Sequence, residues 1–249
     1  MTRILALALS LASASVSAQQ SLPIIDMHLH SYDENTYYVA PDNYGRSSPA
    51  TVDAHFNLTY QKMREHRVVL AVLSNSLASN KAWLSKDADN RFLNGFGWPA
   101  GSTERSLDSF KKLVEDGEID VFGEIGAFYR GETLADPKYA PFLEICEQYG
   151  IPVALHTGGG PTGVTYRNAP NARLTLGNPL LIEDVLVKYP NLKIYLMHSG
   201  IFFYEEALRL MHAYPQVYTD LGVVLWADDY PKYYGRQFLL KAKEFGMLD

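Results

Sequence analysis

Ile24-Ile25-Asp26-Met27-His28-Leu29-His30 is a short apolar run that ends in two histidines placed two residues apart. In a β-strand the side chains at i and i+2 leave the same face. His28 and His30 are therefore expected to point together into the space the strand borders, which is a chelating geometry. Two further apolar runs end in the same way: Ile151-Pro152-Val153-Ala154-Leu155-His156 and Lys193-Ile194-Tyr195-Leu196-Met197-His198. A single histidine at a strand end is ordinarily a satisfied polar residue. Four of the chain's 7 histidines at such ends argue for one shared site.

From this stretch onward, β-branched apolar runs alternate with segments of helical period, the pattern of a parallel α/β protein. Strands are expected at 24–28, 67–73, 91–97, 120–125, 151–156, 193–198 and 216–221. Helices are expected at 52–66, 76–88, 103–116, 137–149, 178–188, 203–213 and 233–245. Asp136-Pro137 and Asn178-Pro179 read as an N-cap followed by Pro at the first helical position, and Gly117, Gly150 and Gly246 as helix stops. A (β/α)8 barrel requires an eighth strand, and the sequence stops at Gly246-Met247-Leu248-Asp249, where that strand should begin. The expected fold is a TIM-like barrel lacking its last βα unit. A doubly wound open sheet is the alternative, but it gathers ligand groups at one switch point rather than on many strand ends.

Residues 1–18 read as a secretory leader: Arg3 supplies the positive end, 4–11 an apolar stretch too short to span a bilayer, and Val16-Ser17-Ala18 a small-residue cleavage site. The barrel domain then comprises 19–249, exported, with the bacterial periplasm as the expected compartment and an uncleaved anchor as the alternative. No later run reaches the ~18 consecutive apolar residues of a spanning helix, so no membrane partner is expected once the leader is cut. Cys146 is the only cysteine, which excludes an internal disulfide and leaves a buried, inert thiol. A formal charge of −6 without a basic run argues against a nucleic-acid partner. A small-molecule substrate is favoured, and a homo-oligomer is compatible with the composition.

On a barrel, catalytic groups come from the C-terminal ends of several strands. The histidine-ended runs would therefore converge, and Gly123-Glu124-Ile125-Gly126 places a carboxylate at the same level. This set resembles the amidohydrolase superfamily, in particular the branch of metal-dependent hydrolases and aminocarboxymuconate-semialdehyde-type decarboxylases. The resemblance covers nearly the whole chain after the leader. It implies a divalent metal ion, zinc or similar, held by His28, His30, His156 and His198, with Glu124 as a bridging ligand or as a carboxylate behind the ligands. It also implies an aspartate on an eighth strand that handles the proton of water; no residue of this chain matches it, so the catalytic residue stays unassigned. Asp220 lies one strand too early, and capping or support of a ligand fits it better than ligation. The chemistry implied is hydrolysis of an amide, ester or lactone by metal-activated water. A decarboxylase on the same scaffold is the first alternative, and a catalytically silent metal- or ligand-binding protein is the alternative from another class.

Several residues beside this set invite a role. Arg130 and Arg167 are candidates to hold a substrate carboxylate, because a guanidinium pairs with it bidentately; an ordinary ion pair is the alternative for each. Gly158-Gly159-Gly160 would let backbone approach a bound anion, or form a plain loop. Tyr32, Tyr37, Tyr38, Tyr44 and Trp226 could wall a pocket for an organic substrate or cover the core. Asp26 could orient His28 or make a salt bridge. His55, His66 and His212 fall in expected helices without ligand spacing and read as surface or packing residues.

Overall fold

The computed structural model describes residues 22–33, 45, 47–96, 106–167, 169–226 and 229–248. The expected leader, Tyr37, Tyr38 and Tyr44 lie outside the described residues. Seven strands follow in chain order: β1 Ile24–Leu29, β2 Val68–Asn75, β3 Phe92–Phe96, β4 Val121–Ile125, β5 Val153–His156, β6 Ile194–Met197 and β7 Val217–Thr219. They form one sheet in sequential order with every neighbouring pair parallel. The helices between them are α1 Val52–Glu65, α2 Leu77–Leu84, α3 Leu107–Glu115, α4 Ala140–Tyr149, α5 Glu183–Lys188, α6 Tyr204–Ala213 and α7 Asp229–Glu244. This is the architecture of a TIM-like barrel without the last βα unit among the described residues.

The two faces of the sheet carry different packing. Met27, Val72, Leu93, Val121, Ala154, Tyr195 and Met197 fill the concave side. The larger outer core lies between the strands and the helices, with Phe110, Phe122, Phe142, Leu143, Leu186, Ile194 and Leu210 among its members. A second cluster of Phe56, Tyr60, Trp83 and Phe92 seats α1 and α2 on β2 and β3. Burial at roughly 25 cal/mol per Å² of apolar surface is what holds helices this short in place.

Local signals account for most helix boundaries. Thr51, Ser76 and Ser106 each accept the backbone N–H three residues on, at the starts of α1, α2 and α3. Asn178 accepts the Leu180 N–H ahead of Pro179, as its motif requires, although a single 3-10 turn, Pro179–Ile182, precedes α5. Gly150 takes the left-handed conformation that stops α4. The last helix departs from expectation by starting at Asp229 rather than at residue 233. Pro231 falls in its first turn, where a missing N–H costs no helical bond, so it does not delay the helix.

Gly123 fixes how closely β4 and β5 approach. A Cβ there would stand 2.1 Å from Ala154 Cβ and 2.7 Å from the Ala154 carbonyl oxygen. Only glycine permits this spacing, which delivers the following residue, Glu124, beside His156 at the end of β5.

Candidate metal centre

His28 and His30 leave β1 together, their Nε2 atoms 3.2 Å apart. His198, at the end of β6, brings Nε2 to 3.1 Å from Nδ1 of His156, at the end of β5. Glu124 stands between the two pairs and divides its carboxylate. Oε2 lies 3.6 Å from His28 Nε2 and 3.8 Å from His30 Nε2; Oε1 touches His156 Nδ1 and lies 3.8 Å from His198 Nε2. Two three-ligand sets therefore share Glu124: His28, His30, Glu124 and Glu124, His156, His198, each with ligand atoms within 4.8 Å of one another.

The outward nitrogens explain why the inward ones are available. His30 Nδ1 faces the Ser74 carbonyl oxygen at 2.7 Å, His198 Nδ1 the Gly222 carbonyl at 3.1 Å, and His156 Nε2 the Gly159 carbonyl at 3.3 Å. A carbonyl oxygen only accepts, so each of these nitrogens is held as a donor, and the inward nitrogen is the one that would offer its lone pair to an ion; before loading, the Glu124 carboxylate against His156 Nδ1 calls for a proton there. Inward nitrogens 3.1–3.2 Å apart need positive charge between them, a shared proton before loading or a cation after it. The donor set thus fits a divalent ion such as zinc, with imidazole and carboxylate ligands and acceptors fixing the rings behind them.

Electrostatics agree with that fit. Burial opposes charge on Glu124, but the His156 imidazole touching Oε1, with those of His198 and His28 beside it, outweighs burial and holds its carboxyl well below the usual range. Burial lowers the pKa of His30 and of His198, the latter assisted by His156. Burial would lower His28 too, yet the carboxylates of Asp220 and Glu124 raise it to about 10.

Asp220, at the end of β7, is part of the same cluster. Its Oδ1 accepts the backbone N–H groups of His198 and Gly222, each at 2.9 Å, and its Oδ2 lies 3.2 Å from His28 Nδ1. Its capping role was legible; its approach to His28 was not, since it depends on the sheet curling until the last strand meets the first. Asp26 accepts the His28 backbone N–H at 2.9 Å and so shapes β1. At β6 the backbone turns sharply: His198, Ser199 and Ile201 all have positive φ, the kind of conformation that clusters at functional sites.

The flanking candidates fare differently. Arg130 donates to Glu132 at 3.0 Å and to the Tyr139 hydroxyl at 2.5 Å, so it has the ion-pair alternative inside the fold. Arg167 is exposed and has no ion pair among the described residues. The glycine run admits rings rather than leaving an open cradle: Cβ atoms at Gly159 and Gly160 would meet Phe202 and Tyr129 at 3.1 and 2.8 Å. Tyr32 stacks on His30 with ring centroids 5.3 Å apart, and His55 stacks on Tyr32 at 6.0 Å, so that helical histidine backs the aromatic wall. Trp226 is exposed. Tyr129, singled out by no sequence signal, stands 4.9 Å from the His156 ring.

A family model described as amidohydrolase matches residues 25–247. The chain belongs to the amidohydrolase family. Among curated proteins, it is 34% identical over 126 residues to Protein fluG of Emericella nidulans, a match covering 49% of this chain and 13% of that protein. This amidohydrolase chain thus spans a small part of that relative's length. Its fold is similar to that of a TIM-barrel protein from Bordetella bronchiseptica, with a TM-score of 0.58, 18% identity, and 88% and 91% of the two chains covered. It is also similar to a probable 2-pyrone-4,6-dicarboxylic acid hydrolase from Acinetobacter baumannii, with a TM-score of 0.56, 17% identity, and 90% and 80% covered.

Proposed function

We propose that this amidohydrolase is a metal-dependent hydrolase that cleaves an amide, ester or lactone bond of a small organic substrate. The observation that carries the proposal is the convergence of His28, His30, His156 and His198 on a divided Glu124 carboxylate, with backbone carbonyls behind the rings of His30, His156 and His198. His28, His30, His156, His198 and Glu124 would hold the ion, for which we propose zinc. Such an ion polarises a substrate carbonyl and brings the ionisation of water down to a pKa of roughly 7.

The chain's own groups supply the rest. Glu124 carries the charge that balances the cation, and its two oxygens keep the histidine pairs at a fixed separation. Tyr32, Tyr129 and Phe202 present ring surface around the histidines, which suits an organic acyl group and limits water. Arg167 offers an exposed cation for a substrate carboxylate. Export to a bacterial periplasm, the compartment read from residues 1–18, belongs to the same proposal.

Metal analysis after zinc reconstitution comes first: one or two equivalents are expected, and the His28→Ala, His30→Ala double variant should lose at least one. A metal-free wild type, or an undiminished double variant, overturns the site. The loaded protein is then offered amides, esters and lactones, including 2-pyrone-4,6-dicarboxylate, beside unsaturated carboxylic acids. Ring opening or acyl cleavage supports the hydrolase; carbon dioxide release from the acids alone would replace it with a decarboxylase.

A further inference from the structure

We infer that the turn Asp220-Leu221-Gly222 at the end of β7 is the positioning device for His28, with Asp220 holding the proton on His28 Nδ1 so that Nε2 faces the metal. The inference rests on the proposed metal centre and deepens it by assigning residues outside the ligand set.

Three observations carry it. His28 Nδ1 and Asp220 Oδ2 are both buried, and neither has a hydrogen-bond partner elsewhere among the described residues. They face one another at 3.2 Å, off the line of an ideal N–H···O bond, so charge and proximity rather than perfect alignment define the contact. The remaining carboxylate oxygen, Oδ1, is anchored by the N–H groups of His198 and Gly222 at 2.9 Å each, which fixes where Oδ2 points. The third observation is Gly222 itself: a Cβ there would stand 2.7 Å from His28 Nδ1 and 3.2 Å from Asp220 Oδ1. A side chain at 222 would wedge the pair apart. The Gly222 carbonyl meanwhile accepts from His198 Nδ1 at 3.1 Å, so one short turn sets two of the four rings.

Asp220→Asn separates positioning from capping. The amide oxygen keeps both backbone caps, while the amide nitrogen, a donor, replaces the acceptor facing His28 Nδ1. His28 is then driven to accept at Nδ1 and to carry its proton on Nε2, which blocks ligation. Outer partners of ligating histidines are typically worth about 10–100-fold in metal affinity.

The experiment measures two things on the wild type, Asp220→Asn and Gly222→Ala. Zinc affinity is taken by competition with a chelator, and nitrogen-15 NMR of the metal-free imidazoles reports whether Nδ1, Nε2 or both bear a proton. We expect the Nδ1 proton of His28 in the wild type and its loss in Asp220→Asn, with the signals of His30 and His156 retained. Zinc affinity should fall about 10–100-fold in both variants. An Asp220→Asn protein that keeps the Nδ1 proton and wild-type affinity overturns the inference. Should that variant fail to fold, Gly222→Ala decides: a folded protein with undiminished affinity overturns it equally. A wild type that binds no zinc but shows the tautomer change defeats the metal proposal while leaving Asp220 in command of His28.

Discussion

Glu124 has two oxygens facing two histidine pairs, and its charge is what that position uses. Glu124→Gln keeps the shape and removes the charge. We expect it to lose one metal equivalent where two are bound, or about 10-fold or more in affinity where one is bound; unchanged stoichiometry and affinity by metal analysis and chelator competition would place Glu124 behind the ligands. His28 gives a pH prediction. Its pKa is raised to about 10 by Asp220 and Glu124 against the opposing effect of burial, so before loading it holds a proton at neutral pH. A ligating imidazole must be neutral, hence loading near pH 7.5 should release that proton, and affinity should weaken as pH falls. Calorimetry in buffers of different ionisation enthalpy measures the release; a buffer-independent heat would show that His28 was already neutral. The four histidines and Glu124 could be picked from sequence because each ends an apolar run. Asp220 could not be joined to His28, and Arg130 could not be separated from substrate binding, because a Glu132 side chain two residues on competes for it.

Element boundaries were legible wherever a physical signal was local. The seven strands fall within one or two residues of the β-branched runs, and Thr51, Ser76 and Ser106 act as the caps their side chains allow. What sequence did not show is how closely strands approach. Gly123 looks like any strand-end glycine, yet it is where β4 touches β5. Gly123→Ala has no flexible neighbour to displace, since Ala154 backbone lies in the way. We expect a loss of at least about 1–3 kcal/mol, the range for overpacking. At ~2–4 °C per kcal/mol for a domain this size, a clear drop in melting temperature follows. Weakened metal binding should accompany it, because Glu124 is carried on the displaced backbone. An unchanged melting curve would mean that the two strands part at no cost. The glycine run after β5 takes the plain-loop alternative, and its small residues make room for Phe202 and Tyr129, whose approach is a tertiary fact.

For the molecule entire, the alternation of strands and helices was enough to read a barrel, and the order β1 to β7 follows the chain. Apolar side chains stay exposed on its two outer strands: Ile24 and Ile25 on β1 and Tyr218 on β7 are each half exposed or more, at 50%, 54% and 52%. Such edges invite association. We expect concentration-dependent self-association by light scattering, suppressed by Ile25→Lys with metal content unchanged; a wild type monomeric at all concentrations would remove the edges from consideration. The leader we propose at residues 1–18 makes an independent prediction: protein recovered from the periplasm of an expressing bacterium should begin at Gln19. An intact Met1 on that material would mean that residues 1–18 are not cleaved.

The contact between His28 and Asp220 joins the first strand to the last. Within the sheet each strand pairs with its neighbour in sequence, whereas the contacts that reach back to β1 from its far side, this one and the Tyr195 hydroxyl on the Met27 carbonyl, wait until the intervening βα units have coiled round. Ring closure of that length is entropically late. A complete set of oriented imidazoles is thus a report that the chain has finished folding. A polypeptide threaded unfolded through a membrane would carry its histidines as unrelated single donors, and would select its ion only in the compartment where it folds.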